Sequence, residues 1–293
     1  MTTERQWVGS TFGSRWMHER LISMLKYVDV RVFYLFAAIC VIPFCCIFSP
    51  SRRIIYRYLR QRHQKGRWRS AWLTYINHCL FAQVVIDRFA LYAGKHMKLV
   101  IRGYEHYKRC AMRPEGFVIL SSHIGCYEMA GYQLNAADKT FNALVFDGEK
   151  ATVMHNRQRI FGTHHIKMIP VRDDGSHLFE IHRALADGEV VSIPADRVLG
   201  SPRVVGVSLL GAKAQLPLGS FSVPAMQGVE VLTINVMKTR TKEYTVYVAP
   251  LRYDHDAPRK QQVKQLADGY AAQLEQLLKQ YPTQWYNYFE FWK

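Results

Sequence analysis

The sequence predicts an α/β fold: a mixed, largely parallel sheet flanked by helices, carried on an N-terminal membrane-anchoring helical segment. Three observations predict it. From Met97 onward, short runs rich in β-branched residues alternate with helix-length stretches, the order that builds parallel strands joined by helical crossovers. One of those runs, Phe117 to Leu120, is apolar without alternation, as in a strand covered on both faces. Residues 32–48, Val32 to Phe48, carry no charge at all, a length at the lower limit for crossing a bilayer.

Residues 1–29 read as an amphipathic, mostly helical lead-in. As a helix, residues 32–48 would be roughly 26 Å long at ~1.5 Å per residue. Pro43 lies inside that run and predicts a kink, which membrane helices tolerate better than soluble ones. A signal peptide is disfavoured because no small-residue cleavage site comes after it. A buried soluble helix and a membrane helix both fit the run itself; its flank favours the second. No Asp or Glu occurs between residues 30 and 86, and Arg52, Arg53, Arg57, Arg60, Arg62, Lys65, Arg67 and Arg69 carry half of the formal net charge of +16. Tyr56, Tyr58, Trp68, Trp72 and Tyr75 are interleaved with them. Basic residues beside an apolar helix suit anionic headgroups, and aromatic rings suit the membrane interface. The same residues would also suit RNA, but their place directly against the apolar run ranks that reading lower, so membrane lipids are expected as partners and nucleic acid is not. The positive-inside rule then puts the flank, and the domain attached to it, on the cytoplasmic side of the membrane.

Residues 50–96 read as one or two helices, with Ile54, Tyr58, Trp72, Tyr75, Ile76 and Leu80 at helical spacing. Strands are expected at Lys98–Arg102, Phe117–Ser121, Asn142–Phe146, Lys167–Pro170, Val190–Pro194, Val229–Met237 and Tyr244–Val248, the last two as an antiparallel pair. Helices are expected at Glu128–Ala136, Lys150–Ile160, His177–Ala186, Gly219–Met226 and from about Pro258 to Gln280. The chain divides into an N-terminal helical anchoring region, 1–96, and an α/β domain, 97–293. Its six cysteines form no C-x-x-C pair, which reads as a reduced thiol inventory.

The informative stretch runs from Gly116 to Leu134. After the buried strand, Ser121 to Gly125 break the apolar pattern and helical residues begin near Cys126. His123 therefore stands at the carboxyl end of a strand, where open α/β sheets bind ligands. Gly125 permits close approach. Glu128 comes five residues later, so its carboxylate is expected to fold back onto the imidazole. Such a pair can take a proton from a hydroxyl, the carboxylate fixing the tautomer and steadying the imidazolium. No serine nucleophile is needed if the acceptor hydroxyl itself attacks a thioester.

His123-x4-Glu128 resembles the H-x4-D/E motif of the glycerolipid acyltransferase superfamily. Within it the chain is most similar to the lipid A late acyltransferase (lauroyl/myristoyl transferase) family, over roughly residues 20–293. Ile193-Pro194-Ala195-Asp196-Arg197 resembles the Asp-containing block after the family's fourth strand. Leu209 to Ala214 with Pro217 to Phe221 after it resembles the family's F-x-G-x-x-A…P-x-G-P segment, and Tyr281 to Trp292 resembles its closing P-x-Q-W…F-W stretch. The resemblance implies a glycerolipid acyltransferase-like fold and an acyltransferase that moves a fatty acyl group to a hydroxyl of a lipid or glycolipid, with His123 and Glu128 catalytic. It implies acyl carrier protein or coenzyme A thioester as co-substrate and no cofactor; the basic surface suits the acidic carrier protein. Asp196 and Arg197 become candidates for orienting His123 or binding the donor, with an ion pair capping a strand end as the plainer reading. Ser220 replaces a family proline, and Val145 to Lys150 lacks the family's Arg block. Arg157 or Arg159 would have to stand in for it. These departures point to a divergent branch with another acceptor than lipid A.

No P-loop or G-x-G-x-x-G is present. The scattered histidines lack H-E-x-x-H or clustered cysteines, so no metal is expected. The rival class is a non-catalytic membrane-attached protein that binds anionic lipid or RNA.

Overall fold

The computed structural model describes residues 15–126, 129, 139–146, 166–172, 174–198 and 203–292. The N-terminal region folds as α1 (Arg15–Tyr27), α2 (Val30–Phe36), a wide π turn (Ala37–Val41), α3 (Ile42–Phe48), α4 (Ser51–Gln61) and α5 (Arg67–Tyr92). Asp29 starts α2 by accepting the Arg31 amide at 2.9 Å, an N-cap that satisfies one of the first unpaired amides.

From α2 through α3 the chain is one apolar helical stretch, Val30–Phe48, long enough to cross a membrane and only 22% buried. Its inner face carries Val30, Tyr34, Ala37 and Ile42; Val32, Phe36, Ile39, Phe44, Ile47 and Phe48 are exposed. Pro43 does not break this stretch. In the π turn the Ile42 amide reaches back to the Ala37 carbonyl. The same pattern would bond residue 43 to Ala38, and proline has no N–H to give. Tyr75 of α5 fills the gap, its hydroxyl donating to the Ala38 carbonyl at 2.7 Å.

The remainder contains β1 (Lys98–Arg102), α6 (Tyr104–Ala111), β2 (Phe117–Ser121), β3 (Phe141–Phe146), β4 (Ile166–Val171), α7 (Ser176–Ala186), β5 (Val190–Pro194), β6 (Val204–Leu209), β7 (Ala212–Pro217), α8 (Leu218–Gln227), β8 (Val231–Arg240), β9 (Glu243–Leu251) and α9 (Arg259–Gln280). Among the described residues, seven strands form a sheet in the order β1-β9-β8-β2-β5-β3-β4. Every pairing in it is parallel except β8 with β9. The expected strands are all present, and the last two pair antiparallel as expected. Two features escaped the sequence: the short helix α6, and the hairpin β6–β7, which pairs antiparallel apart from the main sheet. The expected helices at 128–136 and 150–160 lie outside the described residues, Met129 excepted.

Strand β2 shows why its run is apolar throughout. Val118 and Leu120 pack to one face with α9, α8, the hairpin and Ile55, Tyr58 and Leu59 of α4. Phe117 and Ile119 pack to the other with Leu25 of α1, Val30 and Tyr34 of α2, Val84 and Phe89 of α5 and Tyr107 of α6. Period-two alternation sends neighbours to opposite faces, and here both are dry. The described N-terminal helices thus share their core with the sheet.

Candidate active site

Strands β2 and β5 lie side by side in parallel register, with Leu120 opposite Ile193 and Ser121 opposite Pro194. The Ala195 amide continues that ladder by donating to the Ser121 carbonyl at 2.9 Å. One step further, the same register brings His123 opposite Asp196. The two meet twice. The His123 amide donates to Oδ2 of Asp196 at 2.9 Å, and its ring Nδ1 lies 2.7 Å from Oδ1. Asp196 is fully buried, while the His123 side chain is 19% exposed. Burial by itself would raise the Asp196 carboxyl. The charge of His123, its hydrogen bonds and the nearby Arg197 outweigh that and hold it at about 2. At neutral pH the group is therefore a carboxylate, which can only accept. Nδ1 must carry the proton.

The turn after His123 is held as if it were a short strand. The Gly125 amide donates to the Gln284 carbonyl at 2.8 Å, the Cys126 amide to the Val236 carbonyl at 2.7 Å, and the Tyr286 amide to the His123 carbonyl at 3.2 Å. Ile124 bridges Trp285 and Gly125 bridges Val236. Gly125 is required here: its φ is +55°, and a Cβ would run into the Val236 carbonyl.

The C-terminal tail closes the site's other side. Asn77 of α5 donates to the carbonyls of Thr283 and Trp285 at 2.9 and 3.0 Å. Arg197 donates from Nε to Oδ1 of Asn287 at 3.0 Å and from its guanidinium to the Tyr286 carbonyl at 3.1 Å. Asn287 in turn reaches Oδ2 of Asp196 at 3.4 Å. Trp285 is buried against Tyr58, Phe291 and Trp292.

Of the residues singled out in the sequence, the structure brings together His123, Gly125, Asp196 and Arg197. The carboxylate it places at Nδ1 is Asp196; Glu128 and Arg157 lie outside the described residues. Arg197 reaches the tail at Asn287 and Tyr286, and its charge also acts on Asp196 beside it. Sequence reasoning misses Asn77, Gln284 and Asn287 as site residues. Asn77 has a legible signal: Ser70, Thr74, Asn77 and His78 are buried polar residues at helical spacing on α5, a pattern that points to partners inside the fold.

The arrangement is an imidazole held by a buried carboxylate at the carboxyl edge of a parallel sheet. A family model described as bacterial lipid A biosynthesis acyltransferase matches residues 84–293, which include β2, β5 and the tail. No curated protein sequence matches the chain. Among solved structures, the 1-acyl-sn-glycerophosphate (LPA) acyltransferase PlsC from Thermotoga maritima is similar with a TM-score of 0.40 and 12% identity, over 91% of this chain and 98% of that one. The chain belongs to the bacterial lipid A biosynthesis acyltransferase family and is an acyltransferase acting on lipid.

Proposed function

We propose that the protein is a membrane-bound O-acyltransferase that moves a fatty acyl group from a thioester of acyl carrier protein or coenzyme A to a hydroxyl of a lipid or glycolipid. The observation that carries the reading is the Nδ1–Asp196 bond at 2.7 Å. With Nδ1 committed as donor, Nε2 is the nitrogen that takes the proton of the acceptor hydroxyl. As that proton leaves, the hydroxyl oxygen attacks the thioester carbonyl and a tetrahedral oxyanion forms. The carbon–sulfur bond then breaks and the imidazolium returns its proton to the departing thiolate. Asp196 steadies the imidazolium between the two steps. Glu128 keeps the catalytic place that the H-x4-D/E resemblance gives it.

The basic surface supports an acidic carrier protein as donor, and the exposed apolar helix with arginines beyond Phe48 supports a site at the cytoplasmic face of the inner membrane. The departures at Ser220 and Val145 to Lys150 favour an acceptor other than lipid A. The test is transfer by the purified enzyme in detergent from an acyl carrier protein thioester, with His123→Ala beside the wild type. The variant is expected to fold and to lose transfer. Full activity in it would refute the mechanism.

A further inference from the structure

The turn that carries His123 is gripped through Lys238 and Gln284, and that grip leads to the apolar helix. Asp87, the first acidic residue after the basic run, is fully buried on α5. Its carboxylate accepts hydrogen bonds from the Tyr34 hydroxyl of α2, from Nζ of Lys238 on β8, and from the Tyr244 hydroxyl of β9, the last at 2.5 Å. Nζ of Lys238 also reaches the Tyr34 hydroxyl at 3.1 Å and stands 4.9 Å from the centroids of both tyrosine rings. The end of β8 is thereby fixed to the inner face of the apolar helix.

The backbone of Lys238 passes that position on. Oε1 of Gln284 accepts the Lys238 amide at 2.9 Å, and Nε2 of Gln284 donates to the Lys238 carbonyl at 2.7 Å. Only a primary amide of this length both accepts and donates here. Gln284 then offers its own carbonyl to Gly125, while Val236, two residues before Lys238, offers its carbonyl to Cys126. Both of these amides beyond His123 are therefore placed by a unit whose other end rests on Tyr34.

We propose that Lys238 and Gln284 are positioning residues for His123, and that the apolar helix acts on the site through Tyr34 and Asp87. The proposal rests on the reading of His123 as the base. It makes turnover depend on the seating of the apolar helix against the sheet.

The experiment uses the full-length enzyme in detergent, with palmitoyl-coenzyme A or palmitoyl acyl carrier protein as donor and a total bacterial lipid extract as acceptor. The variants are Gln284→Met, the double variant Asp87→Asn with Lys238→Met, which removes the charge pair without stranding either member, and Tyr34→Phe. Kinetics are read together with amide hydrogen exchange. Because displacements of about 1 Å lower turnover by up to about 100-fold, the first two variants are expected to lose kcat by about 10- to 100-fold with KM for the thioester within about threefold. Exchange at Gly125 and Cys126 should quicken by at least about tenfold, while Val118 to Leu120 keep their protection. Tyr34→Phe keeps the ring and removes one hydroxyl, so it should show the same local pattern, at about threefold; it decides the matter if the others fail to fold. Unchanged kcat and exchange, or protection lost equally in Val118 to Leu120, would overturn the proposal. His123→Ala separates the two layers: activity in that variant sinks the base, whereas the exchange result still decides the coupling.

Discussion

Replacing Asp196 by asparagine is the sharpest probe of the site, because it changes almost no volume and yet removes the one property the geometry uses. The two carboxylate oxygens face two donors, the His123 amide at 2.9 Å and Nδ1 at 2.7 Å. Asparagine has one accepting oxygen and one NH2. If the NH2 faced the His123 amide it would also face the Asn287 side chain, donor against donor. It therefore turns to Nδ1, which must then accept, and the ring proton moves to Nε2. A ring in that tautomer cannot take the proton of an incoming hydroxyl. The same exchange in serine hydrolase triads lowers kcat by about 10,000-fold for the same reason. We expect a loss of about 1,000- to 10,000-fold here, or about 4 to 5.5 kcal/mol of barrier, with KM for the thioester within about threefold. Thiol release from the acyl donor at saturating acceptor measures it directly. A folded Asp196→Asn enzyme whose kcat stays within about tenfold of wild type would show that the carboxylate does not set the tautomer.

The same geometry dictates other outcomes. The Asp196 carboxyl titrates at about 2 in the fold against 3.8 ordinarily. A depressed carboxyl stabilises above its unfolded value, and that share, about 2 kcal/mol, should vanish as pH falls from about 4 to 2. Urea midpoints of the wild type should show this extra acid sensitivity and those of Asp196→Asn should not; coincident curves would contradict the assignment. Gly125→Ala meets both a positive φ and the Val236 carbonyl and should destabilise by at least about 2 kcal/mol, read as a lowered urea midpoint. Phe44, Ile47 and Phe48 are 63%, 64% and 69% exposed. Replacing all three by serine should release the protein from sedimented lipid vesicles while leaving its thermal midpoint nearly unchanged. Retention on the vesicles would assign binding to the basic flank instead.

The sheet is legible in the sequence where burial is complete. Phe117 to Ser121 and Val190 to Pro194 announce themselves because strands covered on both faces admit almost nothing but apolar residues. The hairpin β6–β7 is hidden because its strands mix exposed Val204, Lys213 and Gln215 with buried Val207, Leu209 and Leu216, and because the stretch Leu209 to Ala214 resembles a family segment without declaring a shape. His123 and Asp196 both stand out in the sequence, yet their contact does not. Seventy-odd residues separate them, and they meet only because β5 inserts beside β2 ahead of β3. Chain proximity points to Glu128, which lies outside the described residues, and parallel register brings Asp196 to Nδ1. Both His123 and Asp196 lie two residues past the ends of paired strands, a coincidence that becomes informative only once strand order is known. The tail is visible as a pattern, but much of its work is done through the backbone carbonyls of Thr283 to Tyr286, which no side-chain pattern reports.

The wide turn at Ala37–Val41 has a consequence for how the apolar helix meets its two environments. Inward residues run 30, 34, 37 and then 42, while the exposed face is broad and includes 32, 35, 36, 39, 40, 41, 43, 44, 47 and 48. In an uninterrupted α-helix the next inward position after 37 would be 41, which here is exposed. The turn adds one residue between the inward positions Ala37 and Ile42, and Pro43 comes out on the exposed face beside Phe44. Deleting a single residue between 37 and 41 would swing Ile42, Phe44, Ile47 and Phe48 by about 100° around the axis relative to Val30 and Tyr34. The helix therefore keeps time as two half-helices, and its length matters less than the beat that Tyr75 helps it hold.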